Sequence, residues 1–323
     1  MKRLNLVGWI TLVAMIALAV LPPVFLQTGH AFYVDLATRL VILGIAATSL
    51  NLILGFGGLV SFGHAAFVGL GAYAVGIPVY HEFWGGFEMI ASTNGLFHIV
   101  LAVGLSSLFA LITGAIALRT KGVYFIMITM AFGQMVFFLF QSLDIYNGDD
   151  GLSIDVRSEL PLINLDNPLH LYLLCYVSLI GAMALKYTIV NSRFGMVLQG
   201  AKGNPERMVT LGYNIFLYRL AAYVISGAMC GYAGFLLGNF TTFIAPDMMH
   251  WTRSGELMFM VILGGASTVL GPILGSSIFI LLEEILSSYT IFWHLPFGLM
   301  LIGVVLFIRG GIMGLFKGKG GAK

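Results

Sequence analysis

The chain has 323 residues, of which 59% are hydrophobic and only 9% are charged, and its mean hydropathy is +0.97. Soluble domains carry about 25% charged residues, so a chain this apolar has too little polar surface to stay dispersed in water. The composition excludes an ordinary soluble enzyme and predicts an integral membrane protein. The formal net charge of +2 gives no basis for nucleic-acid binding.

The first apolar run covers residues 4–26 and follows the basic segment MKR. A signal peptide has a similar layout, but its apolar region has roughly 7–15 residues and ends at a small-residue cleavage site. This run is longer and ends at Pro22-Pro23 without such a site. We therefore interpret it as a retained membrane span.

Nine further apolar runs follow. A bilayer core of about 30 Å requires roughly 20 apolar residues in a helix. The ten runs that approach this length are 4–26, 35–54, 59–80, 96–118, 122–141, 169–190, 218–240, 255–270, 271–288 and 295–308. They predict an all-α polytopic membrane protein in which residues 1–323 form a single transmembrane domain. Only glycine-rich sequence separates the eighth run from the ninth, so one broken span or a re-entrant pair is the alternative there.

The basic residues indicate the orientation of these spans. With the N-terminus in the cytoplasm, 13 of the 16 Lys and Arg residues lie at inner ends, and only Arg39, Arg157 and Arg253 lie outside. Because cytoplasmic loops collect positive charge, ten spans with both termini cytoplasmic are predicted. At the outer ends, helical spacing predicts that Asp35 pairs with Arg39 and that Arg253 pairs with Glu256.

The outer loop over residues 142–168 is acidic. Arg157 is its one basic residue, and its carboxylates are Asp144, Asp149, Asp150, Asp155, Glu159 and Asp166. A solvated loop and a docking surface for an external partner both fit this composition.

Two glycine-interrupted segments stand out among the apolar runs. The first, GFGGLVSFGHAAFVGLGAYAVG, begins at Gly55, and the second, VILGGASTVLGPILGSSIF, begins at Val261. Small residues four apart favour close helix packing, but consecutive glycines also free backbone groups that must face protein or a water-filled path. Paired interrupted segments point to a transport path. The candidate path residues are Gly57, Gly58, Ser61, His64, Gly264, Gly265 and Ser267.

The spans contain no recognised catalytic arrangement. There is no His-Glu-x-x-His zinc motif, no Gly-x-Ser-x-Gly motif and no phosphate-binding Gly-x-x-x-x-Gly-Lys loop. His64 fits a hydrogen-bonded packing role as well as a functional one, and Cys175 and Cys230 fit buried apolar positions. We therefore expect no catalytic or metal-binding residues, and any ATPase must be another polypeptide.

The inner loop over residues 191–217 has helical patterning. Phe194, Val197 and Leu198 follow a helical spacing, and Asn204-Pro205-Glu206 is typical of a helix start. Gly212 is typical of a helix end, so a short helix is predicted over about 206–211. Such a helix lies on lipid or inserts into a groove of a partner, and the glycines that fix its ends favour the partner.

Taken together, several stretches resemble the permease family of branched-chain amino acid ABC importers, of the LivM type. The stretches are SLNLILGFGGLVSFGHAAFVGLGAYAVG, NGDDGL, RFGMVLQGAKGNPERMVTLGYN, YRLAAYVISGAMCGYAGFL and MHWTRSGELMFMVILGGASTVLGPILGS, within residues 35–310. The resemblance implies a type II importer fold in a bacterial inner membrane. It also implies a second, LivH-like permease subunit, two cytoplasmic ATPase subunits that bind ATP and Mg²⁺, and a periplasmic amino-acid-binding protein.

The resemblance further implies that the inner loop contacts the ATPase. The residues expected to shape that contact are Lys202, Asn204, Pro205, Glu206 and Gly212. Gly203 stands where family members often carry an acid, which leaves the identity of the ATPase partner open. A urea or short-amide importer is the alternative within transport, and a passive channel for a small neutral solute is the alternative from another class.

Overall fold

The computed structural model describes residues 15–20, 22–25, 31–87, 89–161, 163–266, 268–307 and 310–316. Within these ranges the chain is mainly helical. The helices are α1 (Ala31–Asn51), α2 (His64–Trp84), α3 (Gly95–Ala117), α4 (Val123–Gln141), α5 (Pro168–Asn191), α6 (Arg193–Gly203), α7 (Pro205–Thr210), α8 (Ile215–Thr241), α9 (Trp251–Gly264), α10 (Gly271–Tyr289), α11 (His294–Phe307) and α12 (Ile312–Phe316). Residues 15–20 and 22–25 are also helical, but most of the predicted first span lies outside the described residues.

Six helices in the described part of the chain are long and apolar enough to cross a membrane. They are Ala31–Phe56, Gly95–Ala117, Val123–Gln141, Pro168–Asn191, Ile215–Thr241 and Gly271–Tyr289. Each coincides with a predicted run. Helix α2 is long enough but does not reach the hydropathy of these six, and it contains several glycines and two histidines. Helices α9 and α11 have 14 residues each, or about 21 Å at 1.5 Å per residue, which is shorter than a bilayer core.

Helices α2 and α8 pack closely at the centre of the bundle, with α1 and α3 beside them. A Cβ added to Gly71 would overlap the carbonyl oxygen of Gly231, and one added to Gly234 would overlap that of Val68. Small residues thus let the two backbones approach, as predicted for the glycine-rich α2. Cys175 and Cys230 are buried and are not in a disulfide, as expected.

The acidic loop folds onto the ends of the neighbouring helices. Leu152–Ser153 (β1) pairs antiparallel with Phe243–Ile244 (β2), the segment that follows α8. The Glu159 amide donates to Thr93 O, and the Gly95 amide donates to Glu159 O, each at 2.7 Å. We call this end of the bundle the long-loop face (residues 142–167), and we call the opposite end of α5, with α6 and α7, the short-helix face (residues 192–214).

Charged side chains pair across helices toward the long-loop face. Arg39 pairs with Glu283 of α10 at 2.8 Å, so the predicted pair with Asp35 is wrong. The reason is tertiary: α10 packs against α1, whereas Asp35 is exposed. The predicted pair of Arg253 and Glu256 is confirmed at 3.2 Å, and Arg253 also contacts Asp247 at 3.0 Å.

Candidate functional site

Two short helices, α6 and α7, join α5 to α8 on the short-helix face. The Ser192 hydroxyl accepts from the Gly195 amide and caps α6. Val197 and Leu198 are buried, which confirms the helical spacing of this segment. One guanidinium nitrogen of Arg219, near the start of α8, donates to Ala201 O at 3.0 Å. Helix α6 is therefore capped at its start and hydrogen-bonded to α8 near its end.

Helix α7 forms as its sequence predicts. The Asn204 side chain accepts from the Arg207 amide at 3.0 Å, and Pro205 occupies the first helical position. Gly212 has φ +87°, a left-handed conformation that suits a glycine after a helix end. The observed bounds, Pro205–Thr210, differ from the predicted 206–211 by one residue at each end. The local capping rules were sufficient here.

Helix α7 projects from the bundle without being covered by it. None of its residues is buried, Glu206 included. Val209 and Leu211 are 60% and 63% exposed. Val209 in this helix and Leu211 directly after it are therefore open to contact from another molecule.

Lys202 connects α6 to the first interrupted segment. Its ammonium nitrogen donates to Gly55 O at 2.6 Å. Gly55 lies in a π-helical turn, Leu52–Phe56, that continues α1 and ends its regular hydrogen bonding. Gly58 lies beside the Lys202 stem and has φ +68°; a Cβ there would lie 2.8 Å from Lys202 Cγ. A predicted coupling residue and a predicted path residue are therefore in direct contact.

The two interrupted segments also meet each other. The Asn51 side-chain amide donates to Thr268 O at 2.9 Å. A Cβ on Gly55 would overlap the carbonyl oxygen of Ala266. The sequence suggested that the segments are related but not that they touch. Polar Asn51 in the middle of the apolar run 35–54 was the signal that marks this contact.

Lys186 donates to a backbone carbonyl at the second break, as Lys202 does at the first. It is fully buried, and its ammonium nitrogen donates to Val269 O at 2.8 Å. Among the described residues neither lysine forms an ion pair with a carboxylate. A carbonyl freed by a helix break needs a donor where water is absent, and the buried Lys186 supplies one at the second break. The exposed Lys202 donates to the first break from the short-helix face. Sequence reasoning placed Lys186 only among the inner basic residues.

His64 joins three helices through neutral hydrogen bonds. Ser226 Oγ donates to Ser49 O at 2.6 Å, so it accepts from His64 Nε2–H at 3.0 Å. The other ring nitrogen then accepts from the Ser61 hydroxyl at 3.1 Å. Both His64 and Ser61 are buried. This geometry gives them a structural role between α1, α2 and α8, and their place on a path stays a prediction.

Three of the four remaining predicted path residues, Gly57, Gly264 and Gly265, lie at or beside the breaks. A Cβ on Gly264 would overlap Gly271 O, so this glycine allows α9 and α10 to pack closely. Gly265 has φ +113° at the start of the second break. Gly57 follows the π-helical turn as its C-terminal cap. Ser267 lies outside the described residues.

Comparison with known proteins gives consistent matches over most of the chain. The family described as "Branched-chain amino acid transport system / permease component" matches residues 32–309. The high-affinity branched-chain amino acid transport system permease protein LivM of Escherichia coli (strain K12) is 23% identical, over 94% of this chain and 74% of its own length.

Two archaeal relatives extend the comparison. The probable LivM permease protein of Methanocaldococcus jannaschii is 24% identical over 76% of this chain and 78% of its own. The probable LivH permease protein of the same organism is 27% identical over 37% of each chain. No solved structure matches the chain. The family match includes α6, α7 and both interrupted segments.

Proposed function

The chain belongs to the permease family of branched-chain amino acid transport systems, and from that premise we propose that it is the permease subunit of an ATP-driven, binding-protein-dependent importer. Its substrates are branched-chain or similar hydrophobic amino acids. The chain itself is not a catalyst. ATP and Mg²⁺ bind to partner ATPase subunits, because the sequence contains no phosphate-binding loop of its own.

The proposed assembly contains two different permeases. Similarity to both LivM and LivH proteins indicates a permease pair within this family of transport systems. We assign this chain to the LivM type and expect a LivH-like subunit beside it. Two cytoplasmic ATPases and an external amino-acid-binding protein complete the importer.

The hydrogen bond from Lys202 to Gly55 carries the coupling proposal. Helix α7, with Asn204, Pro205, Glu206 and Gly212, inserts into a cleft of an ATPase subunit. When the ATPases close, α7 moves with α6, and Lys202 transmits the displacement to the π-helical turn at the end of α1. The Asn51 contact passes it to the second break. Alternating access then follows from movement of the interrupted segments against each other.

The membrane topology is proposed from the charge bias together with the fold. Helices α2, α9 and α11 join the six long apolar helices in the membrane, and the N-terminal run adds a tenth span. Both termini are then cytoplasmic, as the positive-inside bias predicts. The short α9 turns back into α10 at the second break, which supports a closely packed hairpin at this point.

The test is ATP hydrolysis by the complex in proteoliposomes. The chain is co-expressed with its neighbouring genes and purified through a tag on this chain alone. Binding protein is then added with leucine and, separately, with urea. Co-purification of ATPase subunits and stimulation by the leucine-loaded protein are expected.

Two other results contradict the proposal. Stimulation by the urea-loaded protein alone favours a short-amide importer. A chain that purifies alone and conducts solute without ATP is a passive channel, and α7 then has no ATPase to contact.

A further inference from the structure

A small cavity of about 220 Å³ lies between α1, α2, α8 and α9, on the side of the His64 network that faces the long-loop face. Charged groups of both signs line it, namely Arg39, Arg253 and Glu256. Its remaining wall is largely apolar and includes Leu43, Val68 and Met260. The side chains of Arg39, Arg253 and Glu256 are 36%, 45% and 23% exposed, so a solute can reach them. The cavity is smaller than the roughly 300–1,000 Å³ pockets that hold drug-sized ligands, so it suits a single small solute.

The charged side chains at and behind the cavity form two groups of ion pairs, one around Arg253 and one around Arg39. Arg253 is shared between Glu256 and Asp247, and Arg39 pairs with Glu283. Glu256 also lies within the electrostatic range of both Arg39 and Glu283. One carboxylate oxygen of Glu283 is buried without a hydrogen-bond partner among the described residues. Buried acceptors without a donor are rare, and an incoming cationic donor would satisfy this one.

We propose that this cavity binds the zwitterion of the transported amino acid during its passage, an inference that rests on the proposed importer function. The substrate ammonium binds Glu256, with Glu283 behind it. The substrate carboxylate binds the guanidinium groups of Arg39 and Arg253, a geometry that arginine favours. The aliphatic side chain lies against Leu43, Val68 and Met260.

The same arrangement discriminates against other solutes. Urea carries no charge for the ion pairs and no apolar part for the wall. A larger solute exceeds the volume. Met260 is a flexible, adaptable side chain, so it allows several aliphatic side chains to fit the same wall. The cavity therefore takes hydrophobic amino acids as a class rather than one of them.

The first test measures leucine uptake per ATP hydrolysed in the complete reconstituted importer. Glu256→Gln removes the carboxylate that binds the ammonium and leaves the shape of the side chain. A charged hydrogen bond of this kind corresponds to about ten- to hundredfold in binding. We expect leucine uptake per ATP to fall about tenfold or more, while loaded binding protein still stimulates hydrolysis. The control is Asp247→Asn, which also removes a partner of Arg253 but lies outside the cavity lining, and it should stay within about twofold of wild type.

A purely structural ion pair gives a different result. Its loss lowers uptake and stimulated hydrolysis together, so leucine per ATP stays at the wild-type value, and that result overturns the proposal. Equal losses in Glu256→Gln and Asp247→Asn also overturn it. If leucine-loaded binding protein does not stimulate hydrolysis by the wild-type complex, the proposed importer function itself is wrong. This result is seen before any variant is tested.

A second variant probes the apolar wall without changing a charge. Val68→Leu adds one methylene to the cavity, and leucine is one methylene larger than valine. An apolar pocket discriminates between two substrates that differ by one methylene by about tenfold or more. The ratio of valine to leucine uptake should rise about tenfold, and misfolding cannot produce this because it lowers both rates alike. An unchanged ratio shows that the substrate does not contact this wall.

Discussion

Replacing Lys202 by Met isolates the hydrogen bond that joins α6 to the interrupted end of α1. Methionine keeps most of the aliphatic stem beside Gly58 and removes only the ammonium that donates to Gly55 O at 2.6 Å. A hydrogen bond from a charged group contributes about 1.5–3 kcal/mol. Because Lys202 is an exposed residue, solvent screening favours the lower end. About 1.5 kcal/mol corresponds to roughly a tenfold change in an equilibrium.

The assay is ATP hydrolysis by the reconstituted complex, with and without leucine-loaded binding protein. Coupling between two sites is reciprocal for binding equilibria, so a weaker link lets less of the signal from the external side reach the ATPase. We expect stimulation by the loaded protein to fall about tenfold while basal hydrolysis persists. Lys121→Met, at an exposed lysine between α3 and α4, is the matched control and should behave as wild type. Full stimulation in Lys202→Met would refute the coupling route.

Three further predictions follow from the backbone geometry and from α7. Gly58→Ala should lower the free energy of unfolding by more than about 1–2 kcal/mol, because it combines backbone strain at φ +68° with a clash against Lys202. The control is Gly122→Ala, at φ +61° with nothing within 4 Å, which shows the effect of strain alone. Thermal unfolding measures both variants. Gly71→Ala should reduce the folded yield in membranes, whereas Gly104→Ala, with nothing within 4 Å, should not. Val209→Asp should abolish co-purification of the ATPase without removing the chain from the membrane, and retained ATPase would contradict the assignment of α7.

Local features of the fold were predictable from the sequence. Asn204, Pro205 and Gly212 define α7 through capping and backbone preferences that act within a few residues. The apolar runs likewise located six long helices, because span length is set by bilayer thickness. The predicted total of about ten spans stays a prediction, since short helices such as α9 do not reach that length by themselves.

Contacts between distant parts of the chain were not predictable. Asp35 lies one turn from Arg39, and helical spacing favoured that pair, but α10 brings Glu283 against Arg39 from far along the sequence. The same holds for Asn51 and Lys186, whose partners are backbone carbonyls of a remote break. A carbonyl acceptor leaves no trace in the side-chain sequence, so a polar residue such as Asn51 in an apolar run indicates a contact, but only the folded structure identifies its partner.

The two proposed sites lie at different levels of α1 and its π-helical turn. Arg39 lines the cavity, and Gly55, which accepts from Lys202, follows it by 16 positions, a rise of about 24 Å along α1 and its π-helical turn. Helix α9 has the same arrangement, with Glu256 at the cavity and the second break after Gly264. In the proposed mechanism, a displacement of α7 needs no long chain of side-chain contacts to reach the cavity, because helices α1 and α9 each run from a break to its charged wall.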